Sequence, residues 1–268
     1  MARQEPTSRR KRRTNGDGSA DTATRLLLAT ERVIAQDGVA NVSMRRINAE
    51  AGTSNISALH YYFGSLEQAI KAVFDLRSAQ AEARRQEVLA ELQARGGPLS
   101  VQDVLHAAIW PLAEMMLGDS TEHHYIGFVA AINRSPQFDM WNVIRHRNRR
   151  GLVRCYILLR RALPGIPKDI LHTRMMLSWR EALYALADVD EMIQARHPDR
   201  REPLVIFHAT DLITRISAAL AAPVSEATLV VRRVLMSRST SDKGTLFGMD
   251  SFWKFGPSSP RTEGRKSA

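Results

Sequence analysis

Apolar residues recur with helical spacing along most of this chain. Nearly every segment between residues 22 and 222 places them three or four positions apart, which is the period of an amphipathic helix. No run alternates apolar and polar residues as a half-buried strand does. Hydrophobic residues make up 44% of the 268 residues, which is enough to fill a large core. The sequence therefore predicts an all-α fold.

Two helices are predicted near the N-terminus. The first covers residues 22–37 and ends at Gly38, because glycine readily adopts the left-handed conformation that closes a helix. Ser43 is a suitable N-cap for a second helix over residues 44–51. Helices this short are not stable alone, so we expect them to pack together in a small domain.

A third short helix is predicted after the turn "GTSN". Asn55 or Ser54 is its expected N-cap, and it runs through Tyr62. Three apolar residues recur on one side of it and are expected to face the core: Ile56, Leu59 and Phe63.

A long fourth helix is predicted to join two domains. Ser65, followed by Gln68, has the spacing of a capping box, and no helix breaker occurs before about Arg95. Pro111 is expected to kink the helix that follows. Further helices are predicted over residues 100–117, 121–133, 137–163, 168–195 and 203–221, with one possible short helix over 227–236.

The net charge of +10 is concentrated at the two ends of the chain. Residues 1–20 hold six basic and two acidic side chains, and residues 223–268 hold eight and four, whereas residues 21–80 are balanced. We interpret both ends as largely disordered basic segments that flank two helical domains, over residues 21–80 and 81–222. The sequence leaves open whether these ends solubilise the chain or contact phosphates.

The composition favours a soluble, cytoplasmic protein. Cys155 is the single cysteine, which excludes a disulfide framework within the chain and suits a reducing compartment. The basic N-terminus lacks the apolar segment of a secretory signal, and no apolar run approaches the roughly 18 residues of a membrane span.

The second and third helices have the layout of a helix-turn-helix, in which the second helix of the pair enters the major groove. The predicted outer surface of this third helix carries short polar groups and hydrogen-bonding aromatic rings. Such groups contact base edges, thymine methyls and phosphate oxygens. The residues on this surface are Asn55, Ser57, Ala58, His60, Tyr61 and Tyr62.

Residues 26–70 resemble the N-terminal domain of the tetracycline-repressor (TetR) family of bacterial transcription regulators. The matching pieces are "LLLATERVIAQDG", "SMRRINAEAG" and "LHYYFGSLEQAI". The turn is one residue longer than is common, and Leu66 replaces a lysine that usually binds phosphate. The resemblance assigns phosphate contacts to Ser43 and Tyr62, a base contact to Arg45, and the base-facing surface to Ser57, Ala58, His60 and Tyr61.

The resemblance also implies a homodimer that binds double-stranded DNA at a near-palindromic operator. The two recognition helices would enter successive major grooves about 34–36 Å apart. The last two helices would form the dimer surface, where Leu204, Phe207, Leu212 and Ile216 offer a broad apolar face. The alternative is that this face packs on its own domain.

A small-molecule effector that releases a repressor from its operator is the further implication. Aromatic and methionine side chains in the second domain are the candidate pocket residues, since they line adaptable apolar cavities, although any one such residue is more often ordinary core. These candidates are Trp110, Met115, Met116, Tyr125, Phe128, Trp141, Tyr156 and Trp179.

No catalytic motif, metal-ligand set or cofactor motif is apparent, so we do not expect an enzyme. Two alternatives to a repressor stay open. The protein could activate transcription or act through a protein partner, or it could bind small molecules without affinity for DNA. The sequence does not identify the operator, the effector or the regulated genes.

Overall fold

The computed structural model describes residues 16–117, 124–136 and 146–238, and all regular structure within these ranges is helical. The all-α prediction is confirmed. The α-helices are α1 (Gly16–Asp37), α2 (Met44–Glu50), α3 (Ala58–Phe63), α4 (Leu66–Ala94), α5 (Val101–Glu114), α6 (Tyr125–Arg134), α7 (Arg150–Ala162), α8 (Lys168–Arg196), α9 (Arg201–Ala221) and α10 (Glu226–Arg238). Short 3-10 helices occupy Val39–Asn41, His146–Arg149 and Pro198–Arg200.

Most predicted helices are present, but some differ in extent. The first helix begins at Gly16 rather than at residue 22. The single helix predicted over 137–163 is described only from residue 146 onward, where a 3-10 turn leads into α7. Pro111 lies inside α5. The possible short helix near the C-terminal end is present as α10.

The first three helices and the start of α4 enclose a small apolar core. α1 packs against α2 and α4, and α3 packs against α2 and α4. The buried residues of this core are Leu26, Ala29, Val33, Ile47, Ala51, Ala58, Leu59 and Ala69.

A larger core lies among α4 to α9. The main helix pairs are α9 with α8 and with α5, α4 with α5, and α6 with α8. α1 takes part as well, because Ile34 is buried in this core and α1 packs closely on α6. A Cβ added to Gly127 of α6 would lie 3.3 Å from the Cβ of Ala35, so glycine allows this close approach.

A buried ion pair ties α1 and α4 to the start of α6. Nε and Nη2 of Arg77 donate to the two carboxylate oxygens of Glu31 at 2.7 and 3.2 Å. The backbone N–H of His124 donates to the same carboxylate at 3.0 Å. One acidic side chain thus joins a helix of the N-terminal domain, the long helix and the second domain.

A second buried cluster joins α4 to the start of α7. The Glu82 carboxylate accepts hydrogen bonds from the backbone N–H of Gly151 at 2.6 Å and from Arg85 Nη1 at 3.1 Å. Nearby, the amide of Asn148 donates to the hydroxyl of Ser78 at 2.8 Å. α4 is therefore linked by buried polar contacts to α1, to the start of α6 through Glu31, and to the start of α7.

Residues Pro198–Ala221 form the one stretch of the described chain that is long and apolar enough to cross a membrane by length and composition. A core helix of a soluble protein meets the same test. Here α9 buries one side in its own domain, including Val205, Ala209, Ile213 and Leu220. The contacts of this helix are those of a core helix.

Candidate DNA-binding surface

Ser43 is the N-cap of α2, as predicted. Its backbone is extended, and its hydroxyl oxygen accepts a hydrogen bond from the backbone N–H of Arg46 at 3.2 Å. This bond satisfies one of the amide groups that a helix leaves unpaired at its N-terminus. The side chain is exposed beside the start of α2, where the resemblance assigns a phosphate contact.

Asn48 holds α2 and α3 together. It is buried on α2, and its amide nitrogen donates to the carbonyl of Ile56 at 2.6 Å. Its side-chain oxygen accepts from the backbone N–H of Leu59 at 2.9 Å. This residue was not singled out from the sequence, although a polar side chain directly after the inward-facing Ile47 could have indicated a buried hydrogen bond. Both bonds end on backbone atoms, so they fix the position of α3 whatever its outward side chains are.

The turn between the helices is organised by its own side chains. Gly52 has a φ of 64°, a conformation that side-chain-bearing residues rarely adopt. The hydroxyl of Thr53 accepts from the N–H of Asn55 at 3.2 Å, and the side-chain oxygen of Asn55 accepts from the N–H of Ser57 at 2.9 Å. Asn55 is exposed, but its oxygen is used within the turn.

This turn moves the start of the third helix and corrects two predictions. Because residues 55–57 are held in the turn, the helix begins at Ala58. Ala58 is then buried at 2% exposure, so it does not lie on the outer surface where it was predicted. Ile56 was predicted to face the core, but it lies in the turn and is 76% exposed. Leu59 is fully buried, as predicted.

Three of the predicted side chains do face outward from α3. Ser57, His60 and Tyr61 are exposed, and Tyr61 is 79% exposed. Tyr62 is half-buried and packs edge-on against Tyr61, with ring centroids 5.1 Å apart. The N-cap residue and the outward side of α3 thus offer a hydroxyl, an imidazole and a phenol within a few residues. We call Ser57, His60 and Tyr61 the reading surface.

The two arginines of α2 have different environments. Arg46 bonds to Glu50 at 2.8 Å and lies 3.6 Å from the carboxylate of Asp37. Glu50 also accepts from Arg32 of α1 at 3.0 Å, and these hydrogen bonds, that of Arg46 first, lower the pKa of Glu50. Arg45 is exposed and forms no ion pair or hydrogen bond with the described residues. Arg45 is therefore the arginine of α2 available to a partner.

Residues 66–70, which follow the N-cap Ser65 of α4, include no lysine or arginine. The hydroxyl of Ser65 accepts from the N–H of Gln68 at 3.2 Å. Leu66 is half-buried and packs against both apolar cores, and Lys71 pairs with Glu67 at 2.6 Å. Leu66 thus contributes packing at the position where the resemblance expects a lysine.

Residues 26–73 match the model of a family described as bacterial regulatory proteins, tetR family. The matched segment runs from α1 through the reading surface into the first part of α4. This segment is therefore similar to the N-terminal domain of bacterial regulatory proteins of the TetR family.

Two solved structures match most of the chain at low sequence identity. One, from Shewanella sp. PV-4, is described as a tetR family transcription regulator; it is 15% identical, with a TM-score of 0.49, and the match covers 75% of this chain and 99% of that one. The other is the multidrug binding protein EbrR complexed with imidazole, 19% identical with a TM-score of 0.35, over 82% and 100% of the two chains. No curated protein matches the sequence. The similarity to the TetR family therefore depends on the N-terminal match.

The candidate effector residues do not surround one cavity. Met116, Tyr125 and Phe128 are buried in the larger core, where Phe128 packs against Phe74. Trp110 stacks on His106 at 5.3 Å. The remaining candidates are Met115 and Tyr156, both half-buried, Trp141, which lies outside the described residues, and Trp179.

Trp179 is the candidate that lines an apolar cavity. This cavity lies between α5, α7, α8 and α9, and Cys155, Met175 and Met176 also line it. The prediction grouped aromatic residues by type, whereas the cavity depends on which helix faces meet.

The residues of the predicted dimer face lie on two different sides of α9. Leu212 and Ile216 are buried in their own domain, so they are not available to a second copy. Phe207 is 65% exposed, and Leu177 of the neighbouring α8 is 56% exposed. An ion pair between Arg215 and Glu181, 3.1 Å long, joins the exposed sides of these two helices.

Proposed function

We propose that this protein is a homodimeric, sequence-specific transcription repressor of the cytoplasm that a small molecule releases from its operator. One observation carries the DNA-binding part. Asn48 fixes α3 through backbone atoms while Ser57, His60 and Tyr61 face outward, and Arg45 of α2 is exposed with no ion pair or hydrogen bond to the described residues. A rigid support under an outward set of hydrogen-bonding groups is what base readout requires.

Each outward group has a suitable partner on DNA. The guanidinium of Arg45 matches O6 and N7 of guanine, a contact that discriminates between bases by about 1–3 kcal/mol. Ser57 and His60 can exchange hydrogen bonds with base edges, and the ring of Tyr61 can contact a thymine methyl or a phosphate. Ser43 and Tyr62, at the borders of this surface, would contact phosphates.

A dimer is supported by the exposed sides of α8 and α9. Leu177 and Phe207 are large apolar side chains in contact with solvent. Thr210, Thr214 and Ala218 follow Phe207 at helical spacing on the exposed side of α9, and their small size permits close helix packing. Two copies joined here would present two reading surfaces to one duplex, which compensates for the neutral charge of residues 21–80.

Release by an effector requires a ligand that binds two states with different affinity. α4 is suited to transmit such a difference, because it contributes to the N-terminal core, is linked to the start of α6 through Arg77 and Glu31, and contacts the start of α7 through Glu82. A movement of α6 or α7 on ligand binding would therefore change the position of the N-terminal domain.

Footprinting of the full chain on genomic DNA tests the proposal. We expect protection of a near-palindrome with half-site centres about 10 base pairs, or a small multiple of one helical turn, apart. A gel shift with the protected site and a scrambled site then gives the specificity ratio. Equal affinity for both sites would contradict sequence-specific binding, and absence of any protected site would favour a helical small-molecule-binding protein.

A further inference from the structure

The cavity between α5, α7, α8 and α9 has a lining that is almost wholly apolar. We propose that it binds an uncharged, mainly apolar ring compound that carries one hydroxyl or carbonyl group. The role of this compound as the effector rests on the proposed function, whereas its binding does not. The argument depends on three properties of the lining: its lack of charge, its single free hydroxyl and its adaptable side chains.

No side chain of the described lining is charged. The lining consists of leucine, isoleucine, alanine, methionine and tryptophan with one serine and one cysteine, and it includes no aspartate, glutamate, lysine, arginine or histidine. Burial raises the pKa of the Cys155 thiol to about 12, so the thiol is neutral at pH 7. A charged ligand would lose its hydration without gaining a counter-ion, which strongly disfavours its binding.

Ser178 supplies the one hydroxyl of the lining, whose other polar groups are the Trp179 indole N–H and the Cys155 thiol. Its hydroxyl lines the cavity and makes no hydrogen bond to the part of the chain that the structure describes. The residue is only 9% exposed. Because a buried hydroxyl gains stability from a partner, a ligand with one hydroxyl or carbonyl group is favoured over a hydrocarbon of the same size.

The remaining lining can adapt to a flat ring. Met175 and Met176 are adjacent on α8, and unbranched methionine side chains change rotamer to fit ligands of different shape. Trp179 adds an aromatic face one turn further along α8. The space not filled by atoms is about 540 Å³, part of which is open to solvent. The enclosed part is smaller than this, so a single-ring compound enters it by displacing the methionine side chains.

Four compounds that share one ring test the proposal on the full chain without DNA. Toluene and p-cresol are neutral at pH 7, benzylammonium is a cation and benzoate is an anion. Calorimetric titration should show binding of both neutral compounds, with p-cresol about 2- to 10-fold tighter than toluene because of the added hydrogen bond. The two ions should bind at least about 100-fold more weakly than toluene. Equal binding of either ion, or failure of both neutral compounds to bind, would overturn the proposal.

Two serine variants locate the polar contact. Ser178→Ala should remove the preference for p-cresol and leave the affinity for toluene unchanged. Ser217→Ala is the matched control, because Ser217 is on α9 outside the lining and its hydroxyl donates to the carbonyl of Ile213 at 2.7 Å. It should keep the preference. A preference for p-cresol that survives in Ser178→Ala would show that the ring does not lie against Ser178.

The effector role is measured separately. If p-cresol binds but does not change the gel shift of the footprinted site, the cavity assignment stands and the proposed release mechanism is wrong. If the protein binds no DNA site, the titrations above still decide whether the cavity accepts neutral rings.

Discussion

The guanidinium of Arg77 and the carboxylate of Glu31 form a two-bond ion pair inside the protein, with N–O distances of 2.7 and 3.2 Å. The side chains are only 7% and 2% exposed. A second pair, Arg84 with Glu114, has nearly the same geometry at 2.7 and 3.1 Å, but its side chains are 35% and 28% exposed. The Arg84 pair is thus far more accessible to solvent, and Arg84 has two further carboxylate partners on α4, Glu87 and Glu91.

This difference predicts unequal costs for the same substitution. Arg77→Met should lower the free energy of unfolding by about 3–5 kcal/mol, because it leaves the Glu31 carboxylate buried without its cation. Arg84→Met should cost about 0–1 kcal/mol, as is usual for an exposed pair. Urea unfolding followed by circular dichroism measures both. Adding Glu31→Gln to Arg77→Met should recover part of the loss, and a double variant as costly as the sum of the two single variants would contradict this explanation.

Asn48 is predicted to support α3 and, through it, DNA binding. Asn48→Ala removes two hydrogen bonds and leaves the buried N–H of Leu59 without its acceptor, which should cost about 1–3 kcal/mol. The affinity for the footprinted site should fall with it. Asn41→Ala is the control, since Asn41 bonds an exposed carbonyl, that of Asp37. Equal stability of the two variants would show that Asn48 does not hold the helices together.

The neighbouring arginines of α2 should separate DNA binding from stability. Arg45→Ala should weaken binding to the operator by about 1–3 kcal/mol and leave the melting temperature unchanged. Arg46→Ala should instead lower stability by up to about 1 kcal/mol, because it breaks the bond to Glu50. Gel shifts and thermal melts of both variants give the comparison. The base-contact assignment would not survive if Arg45→Ala bound the operator and a scrambled site as the unaltered chain does.

Glu50 is predicted to make the N-terminal domain sensitive to acid. Hydrogen bonds from Arg46 and then Arg32 lower its pKa in the folded chain below the unfolded value of about 4.5. The stabilisation is therefore present above that value and is lost as the pH falls through the folded pKa. Glu50→Gln should be less stable than the unaltered chain at pH 7, and the difference should shrink toward zero near pH 3. A constant difference in urea unfolding between pH 3 and pH 7 would rule out this contribution.

Local signals in the sequence predicted much of the N-terminal domain. Gly38 ends α1, and Ser43 and Ser65 cap the helices that follow them, because these effects depend on residues only a few positions apart. The outward positions of Ser57, His60 and Tyr61 were also predicted. The helical period gave the fold class for the same reason.

Other features depended on contacts that the helical period does not contain. The start of α3 was misplaced because Thr53 and Asn55 bond the backbone of the turn, which moved Ala58 inward and Ile56 outward. On α9, Leu212 and Phe207 both belong to a broad apolar surface, and only the packing of α5 and α8 decides which one is buried. Cavity residues depend on the same long-range packing.

The attachment of Asn48 to backbone atoms has a consequence for how this domain can diversify. Neither the amide of Asn48 nor the packing of Leu59 depends on the identity of Ser57, His60 or Tyr61. Those three positions can therefore be randomised in a library while the helix they project from keeps its place. Variants selected from such a library would acquire new target sequences through single-codon changes, without a second round of stabilising mutations.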